Sequence, residues 1–149
     1  MYESLVQKSK YVKMKVLENV EKARKGHLGG TFSCTDLLVA LYYGKIINFN
    51  KENFDNNNRD RFLLGKGHAC LGLFVILQDL GIISKEILDE YGKNSKLIGG
   101  QLDMRIPGCE LNTGSLGHAI GIAAGMSLSS KLDKLNFKTF AMVGDGECE

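Results

Sequence analysis

Three histidines occur in the sequence and each follows a glycine: Gly26-His27, Gly67-His68 and Gly117-His118. Imidazole titrates near neutrality and can donate, accept or shuttle a proton. A histidine bonded to backbone is the structural alternative, but three of three in glycine-rich turns favours function for the set. Asp145 stands between Gly144 and Gly146, directly after the apolar run Phe140-Ala141-Met142-Val143. That is the C-terminal edge of a strand, where parallel sheets receive ligands. Hard cations such as magnesium take one or two such carboxylates together with phosphate oxygens; a turn aspartate capping the next helix is the alternative. Gly65-Lys66-Gly67-His68 follows Phe62-Leu63-Leu64 and opens an apolar segment. Free N–H groups and the helix dipole favour anions at such a turn. The turn lacks the third glycine of a dinucleotide fingerprint and is not a P-loop, so alone it reads equally as a tight structural turn.

The elements that must position these groups follow from periodicity. Val12, Val16 and Val20, flanked by Leu5, Leu17 and Ala23, predict an amphipathic helix over residues 3–25. Gly26 to Gly30 ends it, and Ser33, with Asp36 three residues on, is the expected N-cap of a second helix whose apolar face holds Leu37, Leu38, Leu41 and Tyr42. Residues 48–60, rich in asparagine, predict a surface loop. Phe62-Leu63-Leu64 reads as a short buried strand, and Ala69 to Leu80 as an apolar helix closed by Gly81. Ser84 caps a short helix to Tyr91, Gly92 to Asn112 is loop, a helix follows from His118 to about Leu132, and Lys138 to Val143 is a second strand. Strands alternating with helices argue for an α/β fold with a parallel sheet. Gly117, Gly121 and Gly125 share one helix stripe, each costing about 0.5–1 kcal/mol relative to alanine, which predicts close approach of a helix, a dimer mate or a cofactor.

Composition bounds the function. Hydrophobic residues are 44% and charged residues 24% of 149 residues, which excludes a disordered tail or a collagen-like rod and fits one domain. A net charge of +2 is too small for the basic field that nucleic-acid binding uses. Cys34, Cys70, Cys109 and Cys148 form no C-x-x-C pair, so neither a zinc site nor a redox dithiol is expected, and reduced thiols point to the cytoplasm. The longest apolar run, Leu73 to Leu77, is far short of the ~20 residues of a membrane span.

Taken together, Gly26-His27-Leu28-Gly29-Gly30, Phe62 through Ala69, Pro107-Gly108 through Thr113-Gly114-Ser115-Leu116-Gly117-His118, and Val143-Gly144-Asp145-Gly146-Glu147 resemble, in order and spacing, the N-terminal half of a transketolase. The Gly-Ser-Leu-Gly-His form is similar to that of split transketolases, whose diphosphate-binding and pyrimidine-binding domains are separate chains. The resemblance implies a thiamine diphosphate-binding α/β domain over residues 1–149, incomplete after the strand that precedes the Gly-Asp-Gly turn. It also implies transfer of a two-carbon ketol unit between sugar phosphates with thiamine diphosphate and Mg2+. On that basis His27 matches the histidine that touches substrate near the reacting carbon, and His68 the one at the cofactor diphosphate. Gly114, Ser115 and Leu116 lie along the cofactor, Asp145 is the first magnesium ligand, Gly146 approaches the diphosphate, and Gly144 counts among the cofactor-binding residues. The implied partner is a pyrimidine-binding C-terminal subunit, in a homodimer or heterotetramer.

The chain departs from the family pattern at two places. Where the family has a Gly-His-Pro-acid motif, it reads Gly99-Gly100-Gln101-Leu102-Asp103, and glutamine cannot shuttle a proton near pH 7. The family's metal motif also runs on to an asparagine beyond Glu149, and the glutamate that activates the cofactor belongs to the pyrimidine-binding domain. The expectation is therefore a subunit part that is inactive alone. The alternatives are a non-catalytic module that binds a transketolase-like partner through its glycine-striped helix, or another thiamine diphosphate enzyme such as a deoxyxylulose phosphate synthase.

Overall fold

The computed structural model describes residues 2–93 and 97–149. Helix α1 (Tyr2–Ala23) buries Val12 and Val16 completely, as the four-residue spacing predicts. It stops two residues earlier than expected, because Arg24 takes φ +53 and breaks the helical path. Helix α2 (Leu28–Tyr43) begins immediately after His27, so Ser33 is inside the helix and is not its N-cap. Gly29 and Gly30, read as a turn, are drawn into the first helical turn, with Thr31 N–H donating to the His27 carbonyl at 3.0 Å. The Ser33 hydroxyl donates to the Gly30 carbonyl instead. The Asp36 carboxylate, relieved of any capping duty, accepts from Lys13 Nζ at 2.9 Å and from the Ser9 hydroxyl, which ties α2 to α1.

Strand β1 (Arg61–Leu64) and strand β2 (Thr139–Met142) pair in parallel, Arg61 opposite Thr139 and Leu64 opposite Met142. Asp60 aligns their starts, accepting from Asn48 N–H at 2.8 Å and Lys138 N–H at 2.7 Å. Between the strands run α3 (Cys70–Asp79), α4 (Lys85–Asp89) and α5 (His118–Leu132). Every residue of α3 from Cys70 to Leu77 is buried, so this helix is apolar on all sides and sits at the centre of the main core. Ser84 caps α4 by accepting from Ile87 N–H, and residues 48–60 form the expected helix-free, strand-free loop. The expected loop over residues 92–112 holds no helix or strand among its described residues; positions 94–96 lie outside them.

The layers follow from the period-two alternation of β1. Phe62 and Leu64 point into the core built with α1, α2 and α3, whereas Leu63 joins a second cluster with Leu111, Ala119 and Ala123 under α5. The result is α/β architecture, a two-stranded parallel sheet flanked by helices on both faces. Of the three expected neighbours of the glycine stripe of α5, a packed helix of this chain is not found: a methyl group built at Gly117, Gly121 or Gly125 meets nothing within 4 Å among the described residues. The stripe lies on the helix face turned away from the sheet, beside exposed Leu116, Ile120 and Leu128. No helix among the described residues is long and apolar enough to cross a membrane.

Candidate functional site

The two strands run parallel, so both C-terminal ends open on one edge, and the glycine turns that follow them lie side by side there. After β1, Gly65-Lys66 leads into a single 3-10 turn, Gly67–Ala69, at the start of α3. After β2, Gly144 leads into a second one, Asp145–Glu147. Between them lies a cleft of about 370 Å3 lined by Gly30, Lys66, His68, Leu116, Gly144, Asp145, Gly146 and Glu147. Of the sequence-predicted residues, His68, Leu116, Gly144, Asp145 and Gly146 thus meet, from three separate segments. Gly114 and Ser115 immediately precede Leu116 and are outside the lining. His27 is also outside it, but its ring meets that of His68 edge-on, with centroids 5.4 Å apart. His118 opens α5 and is exposed. A larger hollow of about 750 Å3, beside Tyr42, Asn48 and Lys138, contains none of these residues.

Close packing holds the turns. A Cβ at Gly67 would stand 1.9 Å from Thr113 Oγ1 and 2.4 Å from Gln101 Oε1, a distance only glycine permits. The Thr113 hydroxyl donates to Gln101 Oε1 at 2.8 Å and accepts from Leu102 N–H at 2.9 Å. The segment carrying Gly114 to Leu116 is therefore pinned directly against the Lys-Gly-His turn. A Cβ at Gly30 would touch the His68 ring at 3.0 Å, so the first turn of α2 backs the imidazole.

Charge in the cleft is unevenly committed. Lys66 Nζ donates to the Gly30 carbonyl at 3.0 Å and to Ser33 Oγ at 2.8 Å, which fixes a cation at the rim. Burial pushes the nearby Cys34 thiol up, with the Lys66 charge opposing it, so this sulfur is not a ready nucleophile. Asp145 is exposed, while Glu147 is buried and accepts from backbone N–H groups of Gly117 and Gly144. Among the described residues no group of three His, Cys, Asp or Glu side chains could hold a metal; Asp145 is a single carboxylate that relies on other oxygens. Sequence reasoning does not single out Lys66 or Glu147 as site residues. The available signal for Glu147 is an acid three residues after the Gly144 cap position.

Comparison with known proteins follows the same arrangement. A family profile described as the transketolase, thiamine diphosphate binding domain matches residues 5–148. The chain is 38% identical over 145 residues to one subunit of an apulose-4-phosphate transketolase from Phocaeicola vulgatus, covering 97% of this chain and 51% of that protein. It is 34% identical over 134 residues to a 6-deoxy-6-sulfo-D-fructose transketolase subunit of a Clostridium species, covering 89% and 48% respectively. The chain spans about half the length of these curated relatives. Among solved structures, a Leishmania mexicana transketolase superposes with a TM-score of 0.87 at 20% identity, and one from Campylobacter jejuni with 0.81 at 28%. They cover 97% of this chain in both cases, and 23% and 24% of those chains.

Proposed function

The chain belongs to the transketolase family as its N-terminal, thiamine diphosphate-binding domain, and from that premise we propose that it forms the diphosphate side of a ketol-transferring site. The reaction is transfer of a two-carbon unit between sugar phosphates, as in a split transketolase whose pyrimidine-binding domain is a separate chain. The observation that carries this reading is the convergence of His68, Leu116, Gly144, Asp145 and Gly146 on one cleft at the strand ends. The residues fit the cofactor. Gly146 has open space where a side chain would stand, and His68 and Lys66 offer a donor and a fixed positive charge to a diphosphate. Asp145 is an exposed carboxylate, suited to a magnesium ion whose remaining ligands are phosphate oxygens and water. When bound, thiamine diphosphate supplies the carbon nucleophile and electron sink of ketol transfer. The chain's own part is to bind and orient: Leu116 gives an apolar wall, and His27, touching His68, serves the substrate side as a proton donor or acceptor.

The relatives named as subunits support a partner chain; that this partner binds the pyrimidine, and that the assembly is a homodimer or heterotetramer, is carried by the resemblance to split transketolases. Four free cysteines, three of them buried, fit a reducing cytoplasm. Calorimetric titration tests the site. With thiamine diphosphate and Mg2+ the 149-residue chain alone is expected to give no detectable heat, and micromolar binding would overturn the view that the site needs a partner. With a complementing pyrimidine-binding subunit, binding and ketol transfer are expected, and the absence of both would overturn the assignment.

A further inference from the structure

Glu147 lies in the wall of a cleft read as an anion site, where a free carboxylate would repel the ligand. It is 8% exposed, and both oxygens are turned onto backbone: Oε2 accepts from Gly144 N–H at 2.7 Å and Oε1 from Gly117 N–H at 3.0 Å. The same carboxylate fills the space that Gly65 leaves empty, since a Cβ there would stand 2.5 Å from Oε1. Gly65 follows β1, Gly144 follows β2, and Gly117, at φ +88, starts α5. One side chain thus joins the three glycine turns that carry the cofactor-facing segments.

We propose that Glu147 is a positioning residue that fixes the Asp145 turn against the Leu116–Gly117 turn, setting the separation of the magnesium carboxylate and the apolar wall. The inference rests on the functional reading above. Charge-assisted bonds to two N–H groups hold a backbone more firmly than neutral ones. Glutamine offers a single acceptor and must turn its NH2 toward one of the two N–H groups.

The test is Glu147→Gln, studied with Mg2+, thiamine diphosphate and a complementing pyrimidine-binding subunit. Dissociation constants for thiamine diphosphate and Mg2+ are expected to rise about tenfold or more, the size of one lost charge-assisted hydrogen bond, with KM for the sugar phosphates unchanged. In the chain itself, amide exchange at Gly117 and Gly144 is expected to accelerate while the α3 amides keep their protection. Unchanged cofactor constants alongside a binding wild type overturn the proposal. A wild type that fails to bind overturns the functional reading, and the Gly117 and Gly144 exchange rates then still decide whether the clamp exists. If Glu147→Gln does not fold, Gly65→Ala presses on the same carboxylate from the opposite side. It is expected to weaken cofactor binding in the same way, and wild-type constants in that variant overturn the proposal.

Discussion

Gly67 has no room for a side chain: Thr113 and Gln101 occupy the volume a methyl group would need. Gly67→Ala is therefore expected to destabilise the chain by about 1–3 kcal/mol through overpacking, read as a drop of roughly 2–4 °C in Tm for each kcal/mol; an unchanged melt would contradict the packing described. Gln101, in the same contact, is the residue that the resemblance matches to a family histidine. Its carbonyl oxygen accepts from the Thr113 hydroxyl, a role the Nδ1 or Nε2 of an imidazole can also take. Gln101→His is expected to raise the rate of ketol transfer in the assembled enzyme, and an unchanged rate would remove this position from proton handling. At this scale the sequence is informative where a residue type is chemically unusual. His68 and Asp145 stand out because a histidine in a glycine turn, or an acid between two glycines, has few structural uses. Lys66 does not, because it reaches Gly30 and Ser33 more than thirty residues away, and Glu147 is legible only in its bond to Gly144, since its second bond, to Gly117 thirty residues back, is encoded by no local pattern.

One carboxylate of α3 bonds to both of the other long helices of the main core. Asp79 of α3 accepts from Lys8 Nζ of α1 at 2.8 Å and from the Tyr43 hydroxyl of α2 at 2.5 Å. Burial alone would raise the Asp79 carboxyl, but the bonds from Lys8 and Tyr43 outweigh it and hold it below the ordinary range. A carboxyl depressed in the folded state stabilises the fold above its unfolded value, about 3.9. That contribution is lost as pH falls through the lower folded value. Asp79→Asn is expected to flatten the loss of stability between about pH 4 and the acid limit, measured as urea midpoints at low and neutral pH; parallel acid limbs would refute the linkage. Helix identities are legible in periodicity, and β1 in its short apolar run closed by a glycine turn. The start of α2 is not, since Gly29-Gly30 is turn-like by composition and becomes helical only because the backbone of His27 and the packing of Thr31 and Cys34 fix it.

Across the whole molecule the two faces of the sheet differ. The main core is closed, whereas α5 and the turn before it show Leu116, Ile120, Ile122, Leu128 and Leu132 to solvent, the last at 73% exposure. A joint Leu128→Glu and Leu132→Glu substitution is expected to leave the stability of the chain within about 0.5 kcal/mol while lowering the binding of an apolar dye such as ANS; a large fall in Tm would mean the face is packed after all. The glycine stripe is visible in the sequence, but what it faces lies outside any pattern within the chain. The pairing of Arg61 with Thr139 also has a kinetic side. Neighbouring helices, α1 with α2 and α2 with α3, meet through shorter stretches of chain, whereas β1 reaches β2 only by closing a loop that runs through α3, α4 and α5. Loop-closure entropy is lost before such contacts return any stabilisation. The cleft spans that closure, so it is expected to be the last part of the molecule to form on refolding. Pulse-labelled exchange, with the Gly65 and Gly144 amides protected later than those of α3, would show a chain that acquires its core first and its ligand-facing edge afterwards.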